Sequence, residues 1–412
     1  MNLYEQHPYW LMKNGILASY PSLDQDTTVD IAVMGGGISA ALTAWYLRGA
    51  GLKIAVFDRR HVAMGSTAAS TAFLQYEIDK PLIDLADCVG EANAVKSYQL
   101  CREAIYTIRD ICRHLKPAFD FHLVPSLQYA SFKTHVKKLR QEYTLRKKYG
   151  FDVEWLEEKK IDKIFGFSAP GAIYSGDGGE VDAYKLTHAL FADIQKHGHH
   201  IYNNTGIEDI TYTKSGISLK TGNGFRVKAR QLILACGYES LRYVPKKIAT
   251  INSTYALVSE PLPDKFFWYK NSLIWETATP YMYFRVASDN RILIGGRDDP
   301  YHRPHIYPSV IERKTARLVR SFSKKMPHIP IKADFSWAGA FAETKDGLPY
   351  IGSVPERPNT YFALGFGGNG ITFSVIAAEI IRDTILGKRN PDKKLFDFNR
   401  YHGNDHFAGL SK

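Results

Sequence analysis

The chain of 412 residues is 45% hydrophobic and 23% charged, enough apolar content to bury a large core and too little bias for a disordered or fibrous class. That length predicts two interleaved domains. A formal net charge of +11 would point to a polyanion partner only if the basic residues gathered on one surface.

Residues 1–28, with Tyr9-Trp10 and Tyr20-Pro21, read as an extended leader on the surface. Met1 is followed by Asn2-Leu-Tyr-Glu-Gln-His, without a basic region and an apolar run, so no signal peptide is expected. Val29-Asp-Ile-Ala-Val-Met is an apolar strand running into Gly35-Gly36-Gly37-Ile38-Ser39-Ala40, a helix follows, and Lys53-Ile-Ala-Val-Phe57-Asp58 is a second strand ending in an acid. This is the pattern of a dinucleotide-binding βαβ unit. Gly35 permits the tight turn, Gly37 lets the backbone approach a pyrophosphate, and Ala40 keeps the helix close to the sheet. The pyrophosphate is expected on the unpaired N–H groups of the helix start. Asp58, with Arg59 after it, stands where a carboxylate accepts hydrogen bonds from ribose hydroxyls, which argues against a 2′-phosphate. Residues 29–47 are apolar, but the glycines and the next strand explain them better than a membrane span does.

A long helix is predicted from about Pro81 to Lys116. The basic run from Lys133 to Lys148 places Val136, Leu139, Tyr143 and Leu145 at roughly helical spacing, so it reads as the solvated side of an amphipathic helix and not as a polyanion-binding surface. Asp182 is a plausible N-cap for a helix beginning at Ala183. His197, His199 and His200 read as solvated imidazoles, since no acid or cysteine beside them completes a ligand set. No metal is expected. Cys88, Cys101, Cys112 and Cys236 show no paired spacing and read as reduced, mostly buried thiols of a cytoplasmic protein. Residues 207–235 form a predicted β-meander, residues 251–297 further strands, and residues 308–326 a basic helix. The chain closes with the strand Tyr361-Phe-Ala-Leu364, the turn Gly365-Phe-Gly-Gly-Asn-Gly370, and a helix from Ile371 to about Leu386.

Four segments in this order resemble the D-amino acid oxidase family of FAD-dependent oxidoreductases, which includes glycine, sarcosine and γ-glutamylputrescine oxidases. They are Val33-Met-Gly-Gly-Gly-Ile-Ser-Ala, Gly179-Glu-Val-Asp-Ala-Tyr-Lys-Leu, Asp346-Gly-Leu-Pro-Tyr-Ile-Gly352 and Gly365-Phe-Gly-Gly-Asn-Gly-Ile371. The resemblance implies an α/β fold with an α+β substrate part. Its Rossmann-like FAD domain would be discontinuous, from residues 1–80, 150–250 and 335–412, interleaved with an antiparallel-sheet substrate domain from 81–149 and 251–334.

The same resemblance implies two sets of cofactor contacts. Gly35, Gly37, Ile38, Ser39, Ala40, Asp58, Arg59, Ser66, Thr67, Ser70 and Thr71 would serve the nucleotide and the underside of the flavin. Ile207 would lie at adenine, and Ala235, Cys236 and Gly237 in a turn beside the cofactor, with Cys236 a spacer and not a nucleophile. Gly365, Gly367, Gly368, Asn369, Gly370 and Ile371 would cover the pyrimidine end of the flavin, with the helix dipole aimed at N1 and the C2 carbonyl.

Two departures from the family pattern matter. Glycine oxidase-like members place a carboxylate-binding arginine five residues before the Asp of Asp-Gly-x-Pro, and here that residue is Phe341. The stretch Gly339–Asp346 also lacks the flavin-linking cysteine of monomeric sarcosine oxidases, so non-covalent FAD is expected. The implied reaction is oxidation of a C–N bond in a small-molecule amine or amino acid by hydride transfer to flavin N5, followed by imine hydrolysis, with oxygen or another electron acceptor downstream. No residue is assigned a catalytic role. Gln75, Glu77, Tyr283, Arg285 and Arg297 are the candidate substrate-facing groups with Phe341. The alternatives are an FAD oxidase of a modified tRNA base and a flavoprotein dehydrogenase subunit. No nucleic-acid partner and no membrane span are expected.

Overall fold

The computed structural model describes residues 3–116, 119–213, 216–301, 306–364 and 367–400. The strand Thr27–Met34 holds Ile31, Ala32 and Val33 with no exposed surface, which is why it reads as continuously apolar. It pairs in parallel with Ile54–Phe57 on one side and Arg226–Leu234 on the other. His200–Tyr202 extends the sheet beyond Ile54–Phe57, and Thr360–Leu364 pairs with the C-terminal part of Arg226–Leu234. The meander Ile207–Thr213, Gly216–Thr221 and Arg226–Leu234 forms as predicted.

The helix Ile38–Leu47 is buried along most of its length, as its near-uniform apolarity requires. It packs beside Gly370–Ile385, where the Ser39 and Ser374 hydroxyls meet at 2.7 Å. Both helix starts therefore open on the same side of the molecule.

Among the described residues a second, nine-stranded sheet runs in the order Tyr4–Gln6, Ala333–Thr344, Ala249–Ser259, Arg291–Pro300, Met282–Ala287, Leu273–Glu276, Ser126–Tyr129, Ala172–Ser175, Val153–Leu156. It is antiparallel except where Leu273–Glu276 meets Ser126–Tyr129. The basic helix Pro308–Lys325 covers this sheet, burying Ile311, Leu318 and Phe322 and turning most of its charges outward. A small sheet of Phe73–Gln75, Gly178–Glu180 and His122–Leu123 joins the two halves.

Three expectations change. The first residues are not simply an extended leader: Tyr4–Gln6 pairs with Trp337–Gly339, and Tyr9–Asn14 is a helix. The predicted helix over 81–116 is two helices, Leu82–Val89 and Glu91–Leu115, divided at Gly90 with φ +84°. Strands 4–6, 153–156 and 172–175 and residues 335–344 of the strand 333–344, which the sequence division assigns to the nucleotide-binding part, hydrogen-bond into the nine-stranded sheet. Their partners lie far away in the chain, and no local pattern records that pairing.

Asp182 caps the helix Ala183–Lys196, its Oδ1 accepting from the Lys185 N–H at 2.9 Å. The ring nitrogens of His197 and His199 contact the carbonyls of Asp193 and Arg48. Among the described residues no cluster of His, Cys, Asp and Glu suits a metal. Cys101 and Cys112 are buried, Cys236 is half-buried and Cys88 is exposed, all as free thiols.

Candidate functional site

A cavity of about 940 Å³ runs between the two sheets. One end is formed by Ile207, Asp209 and Gly222 of the meander, with Arg357 beside Tyr212. It continues past Asp58 and the start of the helix Ile38–Leu47, then along Ser66–Thr71. The far end is walled by Tyr281, Tyr283, Asp298, Trp337, Gly339, Phe341 and the turn Gly367–Thr372.

The first glycine turn is sterically obligatory. Gly35 has φ +108°, and a Cβ there would lie 2.5 Å from the Ala235 carbonyl oxygen. Gly37, the N-cap, has no side chain to satisfy the helix, so Thr67 Oγ1 accepts from the Ile38 N–H at 3.0 Å. Asp58 Oδ2 accepts from the Gly36 N–H at 2.6 Å and Oδ1 from the Arg60 N–H at 2.7 Å. Burial pushes that carboxyl upward, and the two N–H donors oppose the shift. Each oxygen keeps lone-pair capacity for a further donor. Arg59 lines the cavity and pairs with Glu239, as does Arg60. Ser66 Oγ is buried without a hydrogen-bond partner. Ala40 is fully buried and does not reach the cavity, so its contribution is close packing of helix and sheet.

The loop Ser66–Thr71 is held from below by three side chains that take consecutive carbonyls. Trp337 Nε1 donates to Ala69 O at 2.9 Å, Trp10 Nε1 to Ser70 O at 2.6 Å, and Arg285 Nη2 and Nε to Thr71 O at 2.9 and 3.1 Å. Arg285 is 2% exposed and pairs with Glu180 at 2.8 Å. It is thus a support of the loop and not a substrate-facing cation, a correction to the sequence expectation. The Gly179-Glu-Val-Asp segment supplies that Glu180 and the capping Asp182.

Glu77 and Arg297 also turn away from the cavity. Glu77 is sealed in a buried group with Arg146, Ser126 and, through Arg146, Glu142 and Gln128. Arg297 pairs with Glu276 at 2.7 Å and donates to Pro280 O at 2.6 Å. The side chain of Gln75 is outside the lining as well. Gln75 and Glu77 contribute through their backbones instead: their carbonyls accept from Asn369 Nδ2 at 3.1 and 2.9 Å. Asn369 thereby ties the second glycine turn to the segment after Phe73–Gln75. Asp79 makes the next tie, its Oδ2 accepting from the Gly368 N–H at 2.6 Å. A Cβ on Gly368 would come within 2.5 Å of that carboxylate. Gly365 lies outside the described residues; Gly367, Gly368, Asn369, Gly370 and Ile371 line the cavity.

Tyr283 and Phe341 face the cavity, and Tyr283 OH accepts from Thr71 Oγ1 at 3.2 Å. Gly237, Ala235 and Cys236 border it on the other side. Burial pushes the Cys236 thiol up to about 11, so it stays protonated and unreactive at neutral pH. Asp346 of the third segment is not in the lining: Arg400 grips its carboxylate through Nε and Nη2 at 2.8 and 2.9 Å, fixing the chain's last described turn.

Sequence reasoning missed Asp79, Tyr238, Tyr281, Asp298 and Trp337. Tyr281 and Tyr283 carried a usable signal, since residues i and i+2 share one side of a strand. The others are single residues whose direction only the packing sets.

Two helix starts whose own N-cap residues make no side-chain hydrogen bond open on the same cavity, one at each glycine turn, and define a protein that holds a long anionic cofactor between a nucleotide-binding sheet and a second sheet. Residues 30–384 match the family described as DAO, FAD dependent oxidoreductase, and the chain belongs to it. It is 24% identical over 400 residues to glycine oxidase of Geobacillus kaustophilus, covering 91% of this chain and 97% of the relative. It is 23% identical over 405 residues to γ-glutamylputrescine oxidoreductase of Escherichia coli, covering 94% and 90%. A crystal structure of the G. kaustophilus glycine oxidase superimposes with a TM-score of 0.77 at 21% identity, over 92% of this chain and 99% of that one. No helix among the described residues is long and apolar enough to cross a membrane.

FAD fits the residues present. The cavity lies at the upper end of the usual range for ligand sites. The N–H groups of the first glycine turn that Asp58 and Thr67 do not take would suit the pyrophosphate, Asp58 would suit the ribose, and Ser66, whose Oγ is buried without a hydrogen-bond partner, lines the same stretch of cavity. The start of Gly370–Ile385 would present its positive end to the flavin if the pyrimidine side lay against it.

Proposed function

We propose that this FAD-dependent oxidoreductase oxidises the C–N bond of an amine, and that its FAD is held without a covalent link. The observation that carries the reading is the far end of the cavity. It is lined by Tyr281, Tyr283, Trp337 and Phe341, faces the Gly370 helix start, and among the described residues holds no lysine or arginine to pair with an α-carboxylate. The arginines in the lining are Arg59, Arg60, Arg242 and Arg357, all beside the nucleotide end.

Bound FAD supplies the acceptor for a hydride from the carbon next to the substrate nitrogen. The chain's part is positional. Trp337 and Phe341, 1% and 8% exposed, keep bulk water from the reacting carbon. The Ser66–Thr71 loop, anchored on three carbonyls, fixes the floor, and the helix at Gly370 stabilises negative charge gathering over it. As the C–H electron pair leaves, the nitrogen gives up a proton, and the imine released is hydrolysed to a carbonyl compound and an amine or ammonia.

The test is anaerobic mixing of the purified yellow protein with glycine, sarcosine, D-alanine, proline and simple primary amines, following loss of flavin absorbance. Amines should bleach the flavin faster than glycine does, and acid precipitation should release intact FAD into the supernatant. Flavin retained by the precipitate would overturn the non-covalent assignment. Rapid bleaching by glycine alone would overturn the preference for amines.

A further inference from the structure

The far end of the cavity sets one acid among aromatic rings, with two more carboxylates behind the lining. Asp298 lines it from the strand Arg291–Pro300, with Tyr281 and Tyr283 alongside, their ring centroids 5.9 Å apart and tilted by 40°. One Asp298 oxygen takes a hydrogen bond from Thr254, while Oδ1 is buried with no hydrogen-bond partner. Tyr281 donates to Asp79, an exposed residue outside the lining. Glu343 stands close enough for its charge to act on both carboxylates, and is itself bonded to Asn252 Nδ2 at 2.9 Å. The cation that acts on Asp298 is Lys314, but its ammonium is committed to Asp299 at 2.6 Å and to the Arg297 carbonyl at 2.9 Å.

We propose that this end of the cavity receives a second protonated nitrogen of the substrate. The preferred substrates are then diamines or similarly dicationic amines without a carboxylate, with Asp298 as counter-charge and Tyr281 and Tyr283 as aromatic walls. The inference rests on the amine-oxidation reading above and narrows it. A buried acceptor with no donor is costly until one arrives, and an ammonium brings three. Ring faces beside a desolvated cation add attraction. The same acids repel a carboxylate, so selection against amino acids is built into the wall that selects for the dication.

Burial, and then the neighbouring carboxylates, push Asp298 up to about 7. The groups facing Asp298 are Asp79, Glu343, Tyr255, Tyr281, Tyr283 and the committed Lys314. A dication draws the proton off Asp298, so its KM falls as pH rises from about 6 to about 8.

The test uses the FAD-loaded enzyme, mixed anaerobically with 1,4-diaminobutane, 1,3-diaminopropane, butylamine and glycine. The diamines should exceed butylamine in kcat/KM by about tenfold or more. Asp298→Asn should collapse that ratio through KM and remove the pH trend. Glu343→Gln, at an exposed position, should lower the ratio by about two- to threefold. FAD content and melting temperature of each variant report that it has folded. Equal rates for butylamine and the diamines, faster reduction by glycine, or an unchanged ratio in folded Asp298→Asn would each overturn the dication assignment while leaving amine oxidation standing. No reduction by any amine or amino acid would instead overturn the amine reading, and the inference with it.

Discussion

Arg285→Met would show how the loop under the cofactor is held. Methionine keeps the unbranched apolar stem but removes the Glu180 pair, two hydrogen bonds to Thr71 O and one to Val286 O at 3.1 Å. Glu180 is 7% exposed and would retain only His122, whose Nδ1 lies 3.3 Å away on a half-exposed ring. Breaking one side of a buried ion pair costs about 3–5 kcal/mol. His122 offsets part of this, so the lower half of that range is expected for the whole protein. Adding Glu180→Gln removes the stranded charge and should recover about 1–3 kcal/mol of the loss, a coupling readable in a double-mutant cycle. The hydrogen bond that the His122 ring donates to Glu180 raises the His122 pKa, so its help is present below about pH 6.5 and fades as pH rises through the elevated value. The single variant should therefore be relatively less damaged at pH 6 than at pH 8. Denaturant midpoints, read together with the rate of FAD release from the loosened Ser66–Thr71 loop, give both quantities. Strictly additive single effects, or wild-type FAD release from a destabilised Arg285→Met, would refute the account of Arg285 as the loop's anchor.

Asp58→Ala should weaken FAD retention by about 1.5–3 kcal/mol, since it removes ribose acceptors and frees the Gly36 and Arg60 N–H groups; equilibrium dialysis at low FAD checks it, and full occupancy there would contradict the assignment. Asn369→Ala leaves the Gln75 and Glu77 carbonyls without their donor, so a loss of about 1–3 kcal/mol and a lower flavin content are expected in melts with and without added FAD. His188 is buried between Tyr20 and Tyr184 with neither ring nitrogen partnered, and burial depresses its pKa to about 4. The unfolded chain therefore takes up a proton that the folded one refuses, and stability falls by up to about 3 kcal/mol as pH drops from about 6.5 to about 4. His188→Phe should flatten that part of the stability curve, and an unchanged acid slope would place the cause elsewhere.

The sequence by itself determined the parts whose physics is local. Residues 31–34, the second half of the strand Thr27–Met34, must be buried because they are apolar without alternation. Gly35 and Gly37 announce a turn that no side chain could enter, and the Gly367–Gly370 turn repeats the message before the last helix. From these segments, in order, the nucleotide half of the cavity and the need for FAD were legible. Phe341 was legible too, as an uncharged residue where a cation would bind a carboxylate. What only the tertiary structure decided is where each charged side chain finds its partner. Arg285 on the second sheet, Arg297 after its glycine pair and Glu77 beyond the Ser/Thr segment looked like substrate contacts. Their partners proved to be Glu180, Glu276 and Arg146, each supplied from another part of the chain. Asp298 carried no signal, yet the fold sets it at the cavity's end beside the rings of Tyr281 and Tyr283, with Asp79 and Glu343 near enough for their charges to act on it. Backbone turns and periodicity are properties of neighbouring residues and can be read along the chain. Ion pairing is decided across the fold, because desolvation makes every buried charge depend on whichever opposite charge the packing delivers.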